Sequence, residues 1–224
     1  MNNRLWRENM AIVSGSNAAE LAAALADELG WEHCPLEVRR FPDSEGYVRV
    51  PHECIEAIRR EPVVLVATTF PDSGIVEALL MLESIHDVRR GDMSNLKGEG
   101  EDNLGDVGPG IFLAVPYFGY SRQDKRFQRG EVVSAKLLAR LLTRRCDGMV
   151  VLDLHAPAVL EDLEVPVSFV SSMPEIAIHL QENVGPDFVL SPDKGAIERA
   201  SHVANAIGCN FSYLEKTRID AHTI

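Results

Sequence analysis

Short apolar runs alternate with amphipathic stretches along most of this chain, and that alternation limits the fold more than any other property. Runs at 10–13, 62–68, 111–115 and 148–152 are rich in Val, Ile and Leu. They are too short for core helices and too continuously apolar for strands with one wet face, so they read as buried strands. Ser16 and Asn17 read as the cap of a helix ending at Leu29, with Glu20 as capping-box partner and Gly30 as the stop. Asp72 or Ser73 caps a second helix with Val76, Leu79, Leu80, Leu82 and Ile85 on one face. A third covers 131–145, with Val133, Leu137, Leu138, Leu141 and Leu142 inward. Leu36 and Val38 alternate with polar residues and lead into a turn at 41–46, from which 47–50 returns as a hairpin. Buried strands separated by helices predict an α/β fold with a parallel sheet covered on both faces.

The same alternation restarts further on, with strands expected at 167–170, 188–190 and 210–214 and helices at 174–182 and 195–207. Two domains follow, 1–158 and 159–224, with the boundary near 157–166. Residues 91–110 are rich in Gly and acidic side chains and have no period, so they read as a solvated surface insertion. A further strand is expected to begin at 218–224, which leaves the second domain with too few strands for a finished sheet.

The net charge of −12 argues against general nucleic-acid binding, which depends on neutralising phosphates. No apolar run approaches the length of a membrane span, and the first residues lack the apolar core of a secretory signal. A cytoplasmic protein is expected. Cys34, Cys54, Cys146 and Cys209 have no metal-ligand spacing and read as small core residues in a reducing compartment. There is neither a G-x-x-x-x-G-K-[ST] loop nor a G-x-G-x-x-G after a strand, so any phosphate must be held in another cradle.

Five segments carry candidate chemistry. Phe41-Pro42-Asp43-Ser44-Glu45-Gly46 sets an aromatic face and two carboxylates on a tight turn, suited to a nucleotide base and its hydroxyls or simply to an acidic β-turn. Tyr117-Phe118-Gly119-Tyr120-Ser121-Arg122-Gln123-Asp124-Lys125-Arg126 leaves a buried strand and gathers cations and an amide, suited to polyphosphate and a purine edge. Asp153-Leu154-His155-Ala156 closes another strand, where an imidazole can meet a metal or a phosphate or serve the fold alone. Ser191-Pro192-Asp193-Lys194-Gly195-Ala196 opens a helix, where Asp193 can cap, bind metal or hold a sugar hydroxyl. Lys216-Thr217-Arg218 brings two cations to a loop that can close over a transferring phosphoryl group, or forms an exposed hairpin.

In this order the five segments resemble the ribose-phosphate pyrophosphokinases. Ser44 stands where that family's Phe-x-Asp-Gly-Glu motif has Gly, and Ala196 replaces the second Gly of its Pro-Asp-x-Gly-Gly segment. The resemblance implies two phosphoribosyltransferase-like domains in a homo-oligomer, a dimer or a hexamer, with ATP and ribose 5-phosphate as ligands and Mg²⁺ as cofactor. It implies ATP contacts from Phe41, Asp43, Ser44, Glu45, Arg122, Gln123 and Asp124, with the hairpin serving a neighbouring subunit. His155 and Asp193 would serve the metal, Asp193 and Arg218 the sugar phosphate, and Lys216 and Arg218 catalysis. The expected reaction is diphosphoryl transfer from ATP to ribose 5-phosphate, giving phosphoribosyl diphosphate and AMP for nucleotide biosynthesis.

Nothing in 1–224 matches the family's later strand with two acids and a Thr/Gly-rich loop for ribose 5-phosphate. A continuation past Ile224 is expected to carry it. A non-catalytic homologue that associates with active synthetases is the alternative. A phosphoribosyltransferase ranks lower, since it needs the same loop and has no use for Arg-Gln-Asp.

Overall fold

The structure, a computed structural model, describes residues 9–91 and 108–216. Most of the 91–110 insertion, and Arg218, lie outside the described residues. The chain divides into two compact units, Met1–Val170 and Ser171–Ile224.

The first unit contains β1 (Ala11–Ser14), α1 (Ala19–Leu29), β2 (Glu32–Pro35), β3 (Glu37–Arg40), β4 (Gly46–Arg49), α2 (Ile55–Arg60), β5 (Val63–Val66), α3 (Asp72–Arg90), β6 (Ile111–Val115), α4 (Ser134–Thr143), β7 (Gly148–Leu152) and β8 (Val167–Val170). Six strands form one sheet in the order β2-β1-β5-β6-β7-β8, and every pairing is parallel. The path runs outward from β1 to β2 and then, from β5, outward the other way. The order therefore reverses between β1 and β5, at a crevice of the kind that binds ligands in open α/β sheets.

Helices cover both faces, as the alternation predicts. On one face Val13, Leu65, Leu113 and Val151 meet Ile58 of α2, Met81, Leu82 and Ile85 of α3, and Leu138 and Leu142 of α4. On the other, Ile12 and Val66 meet Ala18 and, from α1, Ala22 and Ala26. Small alanines let α1 lie close to the sheet.

The details correct several expectations. Ser16 and Asn17 do not cap α1, whose N-cap is Ala18 with no side-chain bond. Ser16 instead donates its N–H and Oγ–H to the two carboxylate oxygens of buried Glu77, at 2.6 and 2.7 Å. Asn17 exchanges two hydrogen bonds with the backbone of Thr68. Tertiary partners outcompeted the local cap. Gly30 does end α1, in the left-handed conformation at φ +66°. A Cβ on Gly15 would lie 2.3 Å from Glu77 Oε1, so glycine lets the β1 tip reach that carboxylate.

The buried face of α3 is Gly74, Ala78, Met81, Leu82, Ile85 and Val88, while Val76 and Leu80 are exposed. In α4, Ala135, Leu138, Ala139 and Leu142 are buried and Leu137 is exposed. β2 and α2 had no clear sequence signal; β2 reads Glu-His-Cys-Pro, and only Cys34 in it is buried. The unit boundary falls after Val170 rather than near 158. β8 pairs with β7 from Met149↔Val167 to Leu152↔Val170, so it completes the first sheet instead of opening the second domain.

The second unit holds α5 (Met173–Asn183), β9 (Phe188–Ser191), α6 (Ile197–Ile207) and β10 (Asn210–Tyr213). β9 and β10 form a two-stranded parallel sheet, and Ala177, Ala200, Val203 and Ala204 are buried. Two strands of this unit lie among the described residues, and the further strand expected at 218–224 lies outside them. No described helix is long and apolar enough to cross a membrane.

Leu113 is fully buried on β6, flanked by β5 and β7. Leu113→Ala should cost about 2–5 kcal/mol in a denaturant titration. A cost near zero would contradict its place in the core.

Candidate functional site

Parallel pairing puts the carboxyl ends of β1, β5, β6 and β7 on one edge, and three of the five predicted segments belong to the first unit. The loop after β6 carries the densest chemistry. Tyr117 is exposed, Phe118 is buried in the core, and Gly119 lies against the β5 tip. Tyr120 adopts the left-handed conformation at φ +61° and donates its hydroxyl to Asp72 Oδ1 at 2.7 Å. That hydrogen bond, reinforced by the carboxylate's charge, raises the Tyr120 pKa.

A cavity of about 380 Å³ opens here, lined by Thr69, Phe70, Asp72, Tyr117, Gly119, Tyr120, Ser121 and Arg122. Arg122 is exposed at its lip and, among the described residues, has no hydrogen-bond or ion-pair partner. Phe70 and Tyr117 meet edge to face at 5.7 Å on its wall.

The loop beyond is knitted to itself. Gln123 points its amide N–H₂ towards the Lys125 carbonyl at 3.3 Å, the Val132 carbonyl at 3.4 Å and Glu131 at 3.5 Å. Glu131 accepts the backbone N–H groups of Phe127 and Gln128, which hold its carboxyl below the usual range. Glu131 therefore braces the loop ahead of α4 rather than belonging to it, and Val133 is the helix's N-cap residue rather than part of its inward face.

The hairpin forms as expected, with Val38 opposite Val48 and Arg40 opposite Gly46, and β4 packs on α3. Its tip is held by Phe41 N–H to Glu45 O and Ser44 N–H to Phe41 O, each 2.9 Å, and Asp43 Oδ1 accepts from Glu45 N–H at 3.1 Å. Ser44 has φ +75°, so the left-handed turn that suits Gly survives with Ser in it. The Phe41 ring meets Tyr47 at 5.8 Å, and the Arg39 guanidinium lies 4.9 Å from its centroid. Phe41, Asp43, Ser44 and Glu45 are all exposed, and none lines the Arg122 cavity.

His155 is exposed just past the tip of β7, after Asp153 at φ +46°, and does not line that cavity either. Ser44, Tyr120 and Asp153 are the described non-glycine residues in the left-handed region, and each lies in one of the predicted segments. Such strain gathers where geometry is dictated by a site.

In the second unit the tips of β9 and β10 form a smaller site. Asp193 caps the turn at 194–196, its Oδ1 accepting from Gly195 N–H and Ala196 N–H at 3.0 and 3.2 Å. Its Oδ2 accepts from Lys216 Nζ at 3.0 Å. Lys194 and Glu215 form a second ion pair at 3.5 Å across the same tips. A cavity of about 290 Å³ is lined by Asp193, Lys194, Gly195, Glu215 and Lys216. Asp193 and Lys216 are thus brought together; Arg218 lies outside the described residues. The sequence reading gave no site role to Thr69, Phe70 and Asp72 in the first cavity, while Tyr120, Lys194 and Glu215 lay within or beside segments it singled out without a role of their own. Only their place just beyond strand ends could have pointed to them.

The Lys216 hydrogen bond is the main cause lowering the Asp193 pKa. The pair therefore contributes to stability above the ordinary aspartate range, and that contribution is lost as pH falls through the lowered value. A ¹³C-detected titration of Asp193 should give a midpoint below that of a free aspartate, rising in Lys216→Met. An unshifted midpoint in both proteins would contradict the pairing. At the hairpin, Ser44→Gly relieves left-handed strain at some cost in chain entropy and should stabilise the fold by about 0.5–1 kcal/mol in thermal unfolding. A destabilised variant would contradict the turn geometry.

The chain matches the family profile for the N-terminal domain of ribose phosphate pyrophosphokinase over residues 10–90 and 109–145. It is 38% identical to the ribose-phosphate pyrophosphokinase of Methanothermobacter thermautotrophicus, covering 95% of this chain and 67% of that protein. It is 34% identical to the one from Methanobrevibacter smithii, covering 93% of this chain and 63% of the relative. The chain therefore spans about two thirds of the length of these relatives. The fold matches that of phosphoribosylpyrophosphate synthetase from Mycobacterium smegmatis with a TM-score of 0.75 at 24% identity, over 94% of this chain and 65% of the other. The chain belongs to the ribose-phosphate pyrophosphokinase family.

Proposed function

We propose that this protein is a ribose-phosphate diphosphokinase, transferring the terminal diphosphoryl group of ATP to ribose 5-phosphate. The anomeric oxygen attacks the β-phosphorus, and the bond from that phosphorus to the α,β-bridging oxygen breaks. AMP leaves with the bridging oxygen and its electron pair, and the hydroxyl proton passes to solvent. Such chemistry asks the protein for positioning and charge neutralisation more than for covalent help.

The observation that carries the reading is the Arg122 guanidinium, without a hydrogen-bond or ion-pair partner among the described residues, at the lip of a strand-tip cavity. An acidic protein with a net charge of −12 that leaves such a cation free in a concave site has built a place for a polyphosphate. Gln123 spends its amide N–H₂ inside the loop, which leaves its carbonyl oxygen to accept from a purine amine, with Asp124 beside it. Because Phe41, Asp43, Ser44 and Glu45 do not line this cavity, we assign them to the nucleotide of a second copy, in a dimer or hexamer.

Lys216 is the group that stabilises the transferring phosphoryl oxygens, with Arg218 completing the charge. Asp193 and Arg218 take the sugar phosphate. Among the described residues no three His, Cys, Asp or Glu side chains come together as a metal cage. Mg²⁺ keeps several waters and is held by one or two protein groups together with substrate phosphates. We assign His155 of the first unit and Asp193 of the second, ionised beside Lys216, as residues that would serve Mg²⁺, which would supply charge neutralisation on the triphosphate. Cys34, Cys54 and Cys146 are free and buried, which suits the reducing cytoplasm.

In AMP-release assays with Mg²⁺, ATP and ribose 5-phosphate, Lys216→Ala in the full-length protein should lower turnover by about 100-fold or more. ATP affinity should stay within about twofold of the parent. Undiminished AMP formation in the variant would overturn the role of Lys216, and an inactive parent would overturn the proposed reaction.

A further inference from the structure

Arg122 is a long, exposed side chain, and something must fix the loop beneath it if it is to meet a triphosphate in one place. The residue in the best position to do so is Thr69, just past the end of β5. It is almost fully buried, at 1% exposure. Its hydroxyl accepts from Gly119 N–H at 2.6 Å and lies 3.4 Å from the Tyr117 carbonyl as a donor. Its own backbone N–H donates to that same carbonyl at 3.1 Å. One residue just past β5 thus grips the β6 loop on both sides of Phe118, whose ring is anchored in the core.

The approach is as close as chain chemistry allows. A Cβ on Gly119 would lie 2.3 Å from the Thr69 carbonyl oxygen, so only glycine fits against this grip. One residue later the chain takes the left-handed turn at Tyr120, which Asp72 ties down through the hydroxyl. Arg122 follows two positions on. Three successive restraints therefore precede the one cation at the lip, and a core needing only packing would have met none of these polar demands.

We propose that Thr69 is a positioning residue for triphosphate binding: its hydroxyl fixes the β6 loop so that Arg122 is presented to the phosphates. This rests on the nucleotide reading of the Arg122 cavity. The hydroxyl is what matters, so Thr69→Val, which keeps the shape and strands a buried N–H, should loosen the loop. Thr69→Ser keeps the hydroxyl and should behave as the parent. Tyr120→Phe releases the same loop from its exposed side without disturbing the core.

The test is calorimetric titration of the full chain with ATP and with inorganic triphosphate, both with Mg²⁺. Arg122→Ala calibrates the site and should raise both Kd values about tenfold. Thr69→Val should raise them at least about fivefold, and Tyr120→Phe about two- to fivefold. Thr69→Ser and the core truncation Ile58→Val should stay within about twofold of the parent, which separates positioning from general stability. In an Arg122→Ala background Thr69→Val should add less than about twofold, because the residue acts through that guanidinium. If Arg122→Ala leaves triphosphate affinity unchanged, the nucleotide reading itself fails. If Arg122→Ala weakens binding while Thr69→Val, or Tyr120→Phe where the valine variant does not fold, leaves it at the parent value, the positioning role alone fails. Equal losses in Thr69→Ser and Thr69→Val would also overturn it.

Discussion

A parallel backbone ladder has a consequence that no side chain can undo: all its strands end at the same edge. Here six strands pair in parallel, so the loops after β1, β5, β6 and β7 emerge side by side. The apolar residues that bury the sheet on both faces decide where those loops begin. The polar groups that follow are then tied to one another rather than to water. Glu77 holds Ser16, Asn17 holds Thr68, and Thr69 holds Tyr117 and Gly119. Each bond joins the tip of one strand to a neighbouring element, so the edge behaves as one scaffold.

The predicted ligand-binding segments of the first unit begin where this scaffold ends. Tyr120, Asp153 and Ser44 hold left-handed backbone without the freedom of glycine, and each borders a predicted ligand-binding segment. Strain of that kind persists only where the surroundings dictate the conformation. The second unit repeats the principle on a smaller scale. Parallel β9 and β10 bring Asp193 and Lys216 to adjoining tips, and the resulting ion pair sets the ionisation of the acid.

The sequence announced the elements better than their partners. Continuous Val, Ile and Leu runs located β1, β5, β6 and β7, because double-sided burial leaves no alternation to misread. Family motifs located Arg122, His155, Asp193 and Lys216. Ser16 and Asn17 looked like caps since cap and tertiary acceptor demand the same side chains. Val76, Leu80 and Leu137 looked inward because a broad apolar stripe does not say which edge meets the sheet. β2 was hidden by its polar, edge-strand composition; β8 was legible at 167–170, but the Pro-bounded stretch ahead of it made it read as the start of the second domain. Thr69 carried no signal at all: a threonine after a strand is ordinary until the loop it grips is folded beside it.

The central claim is that the β5 and β6 tips hold the phosphates of ATP. A crystal structure of the full-length protein with a non-hydrolysable ATP analogue and Mg²⁺ tests it most directly. The expected result is phosphate density within hydrogen-bond reach of Arg122, above the loop gripped by Thr69. Triphosphate density at another edge of the sheet, with Arg122 facing solvent, would contradict it.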